Sequence, residues 1–423
     1  MAKALVLTLS ARIFLAALSV VALASCRSVT SNAPAHLTAP TVVLVSLDGF
    51  RWDYPRATTT PALDRLAREG MSAEALRPVF PTLTFPNHFS IATGVLPWRH
   101  GIVANRFPDA ERQRWYSMGD RSAVEDGTWY LAEPIWVTAE KAGMRTAAYY
   151  FVGTEADIGG VRPSRWRSFD ASVPDRARVS QVLDWLDEPG TTRPRLLTLY
   201  FETVDNAGHA SGPGSPVTLD AIRQVDRQLG SLLDGIDALP HSDEVYVVVV
   251  SDHGQAGYRE HPPFVLEHWV DLDDAKVVSG GPYAWIYLER DRGRAEVMRE
   301  SINRNWDCGR AYLPGELPVE WSTGTSDRYP DVFVQADGGC EVLARESDWK
   351  KRTAGDHGWS PDLPEMHGIF YAKGPRIEPG TTTAVTNVTD VYPLLMDILG
   401  LEAPGPIDGD PAALAAYLQP AGK

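Results

Sequence analysis

Four runs of continuous apolar residues punctuate the chain: TVVLVSL (Thr41–Leu47), TAAYYFV (Thr146–Val152), LLTLYF (Leu196–Phe201) and VYVVVV (Val245–Val250). Unbroken runs of this length suit strands covered on both faces, because a sheet with one wet face would alternate apolar and polar positions. Between them the apolar spacing becomes helical, over residues 60–69, 86–93, 134–142, 175–186 and 216–236. Pro86 suits a first helical turn, which predicts that Thr84 stands just before that helix begins. Gly281–Glu289 and Val332–Gln335 are candidates for further strands. Strand–helix alternation predicts an α/β fold with a mostly parallel sheet flanked by helices on both faces. No repeat or linker interrupts 41–410. That span reads as one domain, with a smaller insertion at about 255–350 and a tail at 411–423.

Composition adds limits. Hydrophobic residues are 44% and charged residues 22%, an ordinary globular balance. The net charge of −15 excludes a general nucleic-acid-binding surface. An anionic small ligand stays compatible, because bound divalent metals reverse the local field. Lys3 and Arg12 precede or open a short apolar stretch, Ile13–Ala24, that ends in Leu23-Ala24-Ser25-Cys26. This resembles a bacterial lipoprotein signal over 1–25, with Cys26 lipidated and 26–40 as a tether. The expected location is the periplasmic face of a bacterial membrane, the outer one by preference because Arg27 rather than Asp follows Cys26 and nothing argues for inner-membrane retention, or else the periplasm; membrane contact is through the lipid alone. The competing reading is a secretory signal cut near Ala24, with Cys26 incidental. In an oxidising compartment Cys308 and Cys340 can form a disulfide, the alternative being two separate buried thiols.

Acidic residues follow three of the apolar runs: Asp48, Asp205 and the pair Asp252-His253. In open α/β sheets ligands gather at the carboxyl ends of the strands, so one edge would collect these groups. Asp205 and His209 are four apart and can share an ion if the segment is helical. His357 adds an imidazole in a Gly-flanked turn. Oxygen and nitrogen ligands without thiolate suit Zn²⁺, and by ligand type also Mn²⁺ or Fe. Each group alone is commonplace in turns; the shared placement makes the case.

The stretches TVVLVSLDGFRWDY, FPTLTFPNHFSIATGVLPWRHGIVAN, WYLAEPIWVTAEKAG, YFETVDNAGHASGP, VSDHG and AGDHGWSPDLPEMHGIF occur in that order. With the closing TNVTDVYPLLMDILGLEAPGPIDG, the series resembles the nucleotide pyrophosphatase/phosphodiesterase family of the alkaline phosphatase superfamily, over about 41–409. The resemblance implies an alkaline-phosphatase-like fold and two Zn²⁺. Asp48, Thr84, Asp252 and His253 match one metal's ligands; Asp205, His209 and His357 match the other's, with Val204 where the family has proline. It implies Thr84 as a nucleophile forming a phospho-threonine, and Asn105 as a donor to a phosphoryl oxygen. Phe85 and Phe169 match the aromatic pair that clamps a base, Phe169 standing where tyrosine is usual. Leu83 replaces a frequent lysine, which puts selectivity for phosphate tails in question, and Ala132 a frequent glycine. His88, His100 and His367 read as structural.

The expected function is hydrolysis of nucleotide phosphodiester or pyrophosphate bonds to nucleoside 5′-monophosphates. The expected partners are nucleotides or other small phosphodiesters, and no protein partner is inferred. A phosphomonoesterase, a lipid or sugar phosphodiesterase and a non-catalytic lipid-anchored binding protein are the alternatives.

Overall fold

The computed structural model describes residues 40–351 and 353–420. Cys26 and the proposed signal and tether, apart from residue 40, lie outside them. Eight strands form the main sheet, in the order 381–383, 71–73, 370–373, 245–250, 41–47, 196–201, 146–149, 165–166. The five from 245–250 to 165–166 run parallel. Phe370–Lys373 runs antiparallel to both its neighbours. The apolar runs at 41–47, 196–201 and 245–250 are strands over their whole length. The run at 146 stops at Tyr149, because Tyr150 takes a left-handed backbone (φ 67°) that turns the chain out of the sheet.

The continuous apolar pattern has the expected cause. Val42 and Leu44 pack into one hydrophobic cluster, while Val43, Val45 and Leu47 pack into another on the opposite face. Helices Pro61–Glu69, Asp175–Leu186 and Pro216–Asp237 supply residues to the second cluster, and Thr84–Thr93, Ile135–Lys141 and Val391–Leu399 to the first. Each fully buried Val or Leu is worth about 1.5–3 kcal/mol relative to exposure, so the central strands anchor the fold.

The 281–289 and 332–335 segments do not extend this sheet. Tyr283–Leu288 and Val332–Ala336 join Ala275–Ser279 and Gly309–Tyr312 in a separate antiparallel four-stranded sheet with a hydrophobic cluster of its own. Cys308 and Cys340 are bonded to each other beside it, their Cα atoms 6.1 Å apart. Among the described residues no helix is long and apolar enough to cross a membrane.

The register sets up the site. Leu47 stands opposite Phe201, and Ser46 opposite both Tyr200 and Val250. Asp48, Glu202 and Ser251 therefore leave the sheet side by side at the carboxyl ends of three parallel strands.

Candidate active site

The Thr84 helix spans Thr84–Thr93, with Leu83 as its N-cap. Thr84 is thus the first helical residue, not the residue before the helix, and Pro86 is the third. Any of the first three positions tolerates proline, because their N–H groups have no intrahelical acceptor. Thr84 is 7% exposed, and its Oγ1 lies 3.3 Å from His253 Nε2.

The helix over Thr203–Ser211 places Asp205 and His209 on one face, with Asp205 Oδ2 3.4 Å from His209 Nε2. The absence of a side chain at Gly208 makes room for Gln255 there. A Cβ at that position would lie 1.5 Å from Gln255 Oε1, and Gln255 Nε2 donates to Asp205 Oδ1 at 2.6 Å. Gly49 has φ 65°, and a Cβ on it would meet Asp205 Oδ1 at 2.8 Å. The chain after Asp48 can approach Asp205 only as glycine.

All seven expected ligands meet at this edge. His253 Nε2 is 3.1 Å from Asp252 Oδ2 and 3.6 Å from Asp48 Oδ1. Its ring stacks on His357 at 3.7 Å, and His357 Nε2 is 4.0 Å from Asp205 Oδ1. The Nδ1–H groups of His209, His253 and His357 donate to the carbonyls of Gly355, Gly254 and Thr82, at 2.9, 3.0 and 2.9 Å. Each Nε2 is thereby left to face the carboxylates. Thr82, beside the nucleophile candidate, therefore holds His357 in place, and its hydroxyl donates to Trp359 O.

A cation fits this arrangement. Asp48 Oδ1 and Asp252 Oδ2 are buried with no hydrogen-bond partner. Burial holds the His253 imidazole down at about 4, so it is neutral at pH 7 and its Nε2 offers a lone pair. Lone pairs converging at 3.1 and 3.6 Å repel unless a positive ion lies among them. Burial, together with Asp252 and Asp205, drives the Asp48 carboxyl well above its ordinary range, against the Tyr200 hydroxyl bond that opposes it. His209 is raised to about 9: burial lowers it, but the bond to Asp205 prevails.

Groups of possible ligand atoms overlap the two expected sets without reproducing either: Asp205, His253 and His357; His209, Asp356 and His357; Asp48, His88 and Asp252. His88 is already engaged. Its Nε2 lies 2.8 Å from Ser46 Oγ, and its Nδ1 donates to Thr84 O at 2.9 Å. Asp356 accepts from Tyr258 Oη and Thr353 Oγ1. His100 contacts Ser90 Oγ and Pro86 O, and His367 contacts Pro361 O; neither joins the cluster.

Thr84, Asp48, Asp205, Phe85 and Phe169 line one cavity of about 290 Å³. Phe169 is 41% exposed and sits edge-on to Tyr150 and Tyr200. Asn105 Oδ1 accepts from Phe85 N at 2.9 Å, so the group it can offer a ligand oxygen is its Nδ2. Sequence reasoning missed Tyr200, whose hydroxyl donates to Asp48 Oδ2 at 2.6 Å, and Gln255. It also missed Arg121 and Glu155, which pair with each other on the cavity wall. The signal for Tyr200 was its place one residue from the end of a strand delivering an acid; that for Gln255 was its place two residues after His253.

Fold and site define a class: α/β proteins in which buried carboxylates and imidazoles at a sheet edge surround a hydroxyl on a helix N-terminus. A profile described as type I phosphodiesterase / nucleotide pyrophosphatase matches residues 42–360, and the chain belongs to that family. The mouse ectonucleotide pyrophosphatase/phosphodiesterase family member 1 is 31% identical over 405 residues, covering 93% of this chain and 44% of its own length. The chain thus spans less than half of that relative. Human family member 5 is 30% identical over 362 residues, covering 86% of this chain and 75% of its own. The solved structure of murine ectonucleotide pyrophosphatase / phosphodiesterase 5 matches with a TM-score of 0.84 at 30% identity, over 90% of this chain and 100% of that one. A second structure of that protein, an inactive threonine-to-alanine variant in complex with AMP, matches with a TM-score of 0.84 at 29% identity. The fold is accordingly the alkaline-phosphatase-like α/β fold implied by the sequence motifs.

Proposed function

We propose that this protein is a metal-dependent hydrolase that cleaves nucleotide phosphodiester or pyrophosphate bonds and releases nucleoside 5′-monophosphates. The observation that carries this reading is the Thr84 hydroxyl, 3.3 Å from His253 Nε2 at the start of a helix and opening onto the cavity lined by Phe85 and Phe169. Asp48, Thr84, Asp252 and His253 would hold one zinc ion, and Asp205, His209 and His357 a second. When bound, the two ions supply positive charge that favours an alkoxide over a hydroxyl and offsets charge on the phosphoryl group.

The chain's own residues do the rest. Thr84 Oγ1 attacks phosphorus, helped by the positive end of the helix dipole. The P–O bond to the leaving group breaks, leaving a phospho-threonine that water then hydrolyses. Asn105 Nδ2 donates to a phosphoryl oxygen as charge builds. Phe85 and Phe169 offer ring faces to a base, a sequence-tolerant contact. The AMP complex of the murine relative supports the nucleotide reading, and the inactivity of its threonine-to-alanine variant supports a threonine nucleophile. The same proposal places the protein outside the cytoplasm, lipid-anchored at Cys26.

The test is a rate comparison on bis-p-nitrophenyl phosphate, p-nitrophenyl phosphate and the p-nitrophenyl ester of thymidine 5′-monophosphate. We expect the thymidine ester to be fastest, and Thr84→Ala to lose at least ~10³-fold in kcat while still binding AMP. Faster monoester cleavage would establish a phosphomonoesterase instead. No turnover of any of the three would remove the enzyme reading altogether.

A further inference from the structure

Residues 101–109 run from the end of a short helix, Pro97–His100, through Asn105 into the strand Arg106–Asp109, which pairs with Arg114–Ser117. Asn105 is bonded to Phe85 N through its Oδ1 and to Met118 N through its carbonyl. Both ends of this segment are tied to one guanidinium. Arg328 Nη1 donates to Gly101 O at 2.6 Å, and Arg328 Nε and Nη2 meet Asp109 Oδ2 at 3.2 and 3.0 Å. Nη1 also donates to Trp129 O at 2.7 Å. The planar group lies over the Phe107 and Trp129 rings, 5.5 and 5.4 Å from their centroids.

Arg328 belongs to another part of the chain. It stands four residues before Val332–Ala336, a strand of the second sheet, and its carbonyl accepts from Tyr287 Oη at 3.3 Å. Its side chain and Asp109 are both buried. Gly101 has φ 85°, and a Cβ on it would lie 2.6 Å from Arg328 Nη1, so this glycine both makes the turn and admits the guanidinium. A buried ion pair adds little net stability over apolar packing, because both charges give up their hydration. What it supplies is geometry: a rigid fork fixes two carbonyls and a carboxylate at once, which the single ammonium of a lysine cannot do.

We propose that Arg328 is a positioning residue for the reaction, setting through Gly101 and Asp109 where Asn105 Nδ2 stands as charge builds on the phosphoryl group. The second sheet then acts on a site to which its strands supply none of the seven proposed metal ligands. The inference rests on the hydrolase reading above. Arg328 itself makes and breaks no covalent bond.

The experiment measures kcat and KM for the p-nitrophenyl ester of thymidine 5′-monophosphate in the full-length, zinc-loaded protein and in Arg328→Met, Asn105→Ala and the double variant. Misplacing a reacting group by about 1 Å costs on the order of 100-fold, so Arg328→Met should lower kcat about 10- to 100-fold, with KM moved far less. Zinc affinity should not change. In the Asn105→Ala background the same exchange should cost less than about threefold, because two residues acting through one contact are not additive. A merely structural arginine would cost the same in both backgrounds. Arg328→Lys keeps the charge facing Asp109 but not the fork, and should lose most of the rate as well. A kcat within about twofold of the unaltered protein in either folded variant, or equal losses with and without Asn105, overturns this inference and leaves the hydrolase reading standing. Failure of both Arg328 variants to fold makes the residue structural and overturns it too. No turnover of the ester by the unaltered protein overturns the hydrolase reading, and this inference with it.

Discussion

Tyr200→Phe removes one oxygen from the site and nothing else. The ring would keep its edge contacts with His88 (5.4 Å between centroids) and Phe169 (6.2 Å). What disappears is the 2.6 Å bond from the hydroxyl to Asp48 Oδ2. Asp48 Oδ1 already has no hydrogen-bond partner, and the Asp252 and Asp205 carboxylates oppose a negative charge on it. The tyrosine hydroxyl is therefore the donor that orients this carboxylate and favours its ionised form. A hydrogen bond to a charged group contributes about 1.5–3 kcal/mol. Loss of a partner that orients a metal ligand typically costs about 10- to 100-fold in affinity or activity, the same range expressed as an equilibrium. The expected outcome is zinc binding weakened by about 10- to 100-fold in a chelator competition, with the circular dichroism spectrum unchanged. Added zinc should restore much of the lost turnover. Zinc affinity within about twofold of the unaltered protein would refute the reasoning, because Asp48 would then be oriented by something other than Tyr200.

Gly208→Ala is expected to displace Gln255 from Asp205 and to weaken binding of one of the two proposed zinc ions more than the other, read as a change from two similar steps to two separated ones in calorimetry. Two unchanged steps would mean that Gln255 does not position Asp205. For Cys26, growth with a labelled fatty acid should tag the full-length protein and fail to tag Cys26→Ser; label on both variants would leave the lipid anchor without support.

The sequence spoke most clearly where one physical rule acts alone. Strands buried on both faces leave an unbroken apolar run, so Thr41–Leu47, Leu196–Phe201 and Val245–Val250 were legible to the residue. The carboxylates that follow them were legible for the same reason, since strand direction fixes where they emerge. The end of the 146 strand was not, because nothing local announces that Tyr150 turns left-handed. The second sheet was only half legible: its strands could be picked out, but not which sheet they pair into, a choice made by contacts distant in the chain. At the site, ligand types and spacings pointed to Asp205, His209 and His253. The supporting groups escaped notice because tyrosine and glutamine are ordinary residues until a fold aims them at a carboxylate. Thr82 is the sharpest case. It reads as a turn residue, yet its carbonyl fixes the orientation of an imidazole 275 residues away.

That bond also bears on when the protein becomes competent. The stretch around Thr84 meets His253 through a hydroxyl and His357 through a carbonyl two residues earlier. The first group of ligands cannot close before Asp252 and His253 have arrived, and the second not before His357, in the last third of the chain. A polypeptide threaded across a membrane from its N-terminus would therefore carry Asp48 and Thr84 to the far side long before His357 follows. If the chain is exported in this way, a form that has not yet delivered His357 would lack a ligand of the second group, and the proposed activity would wait for that residue.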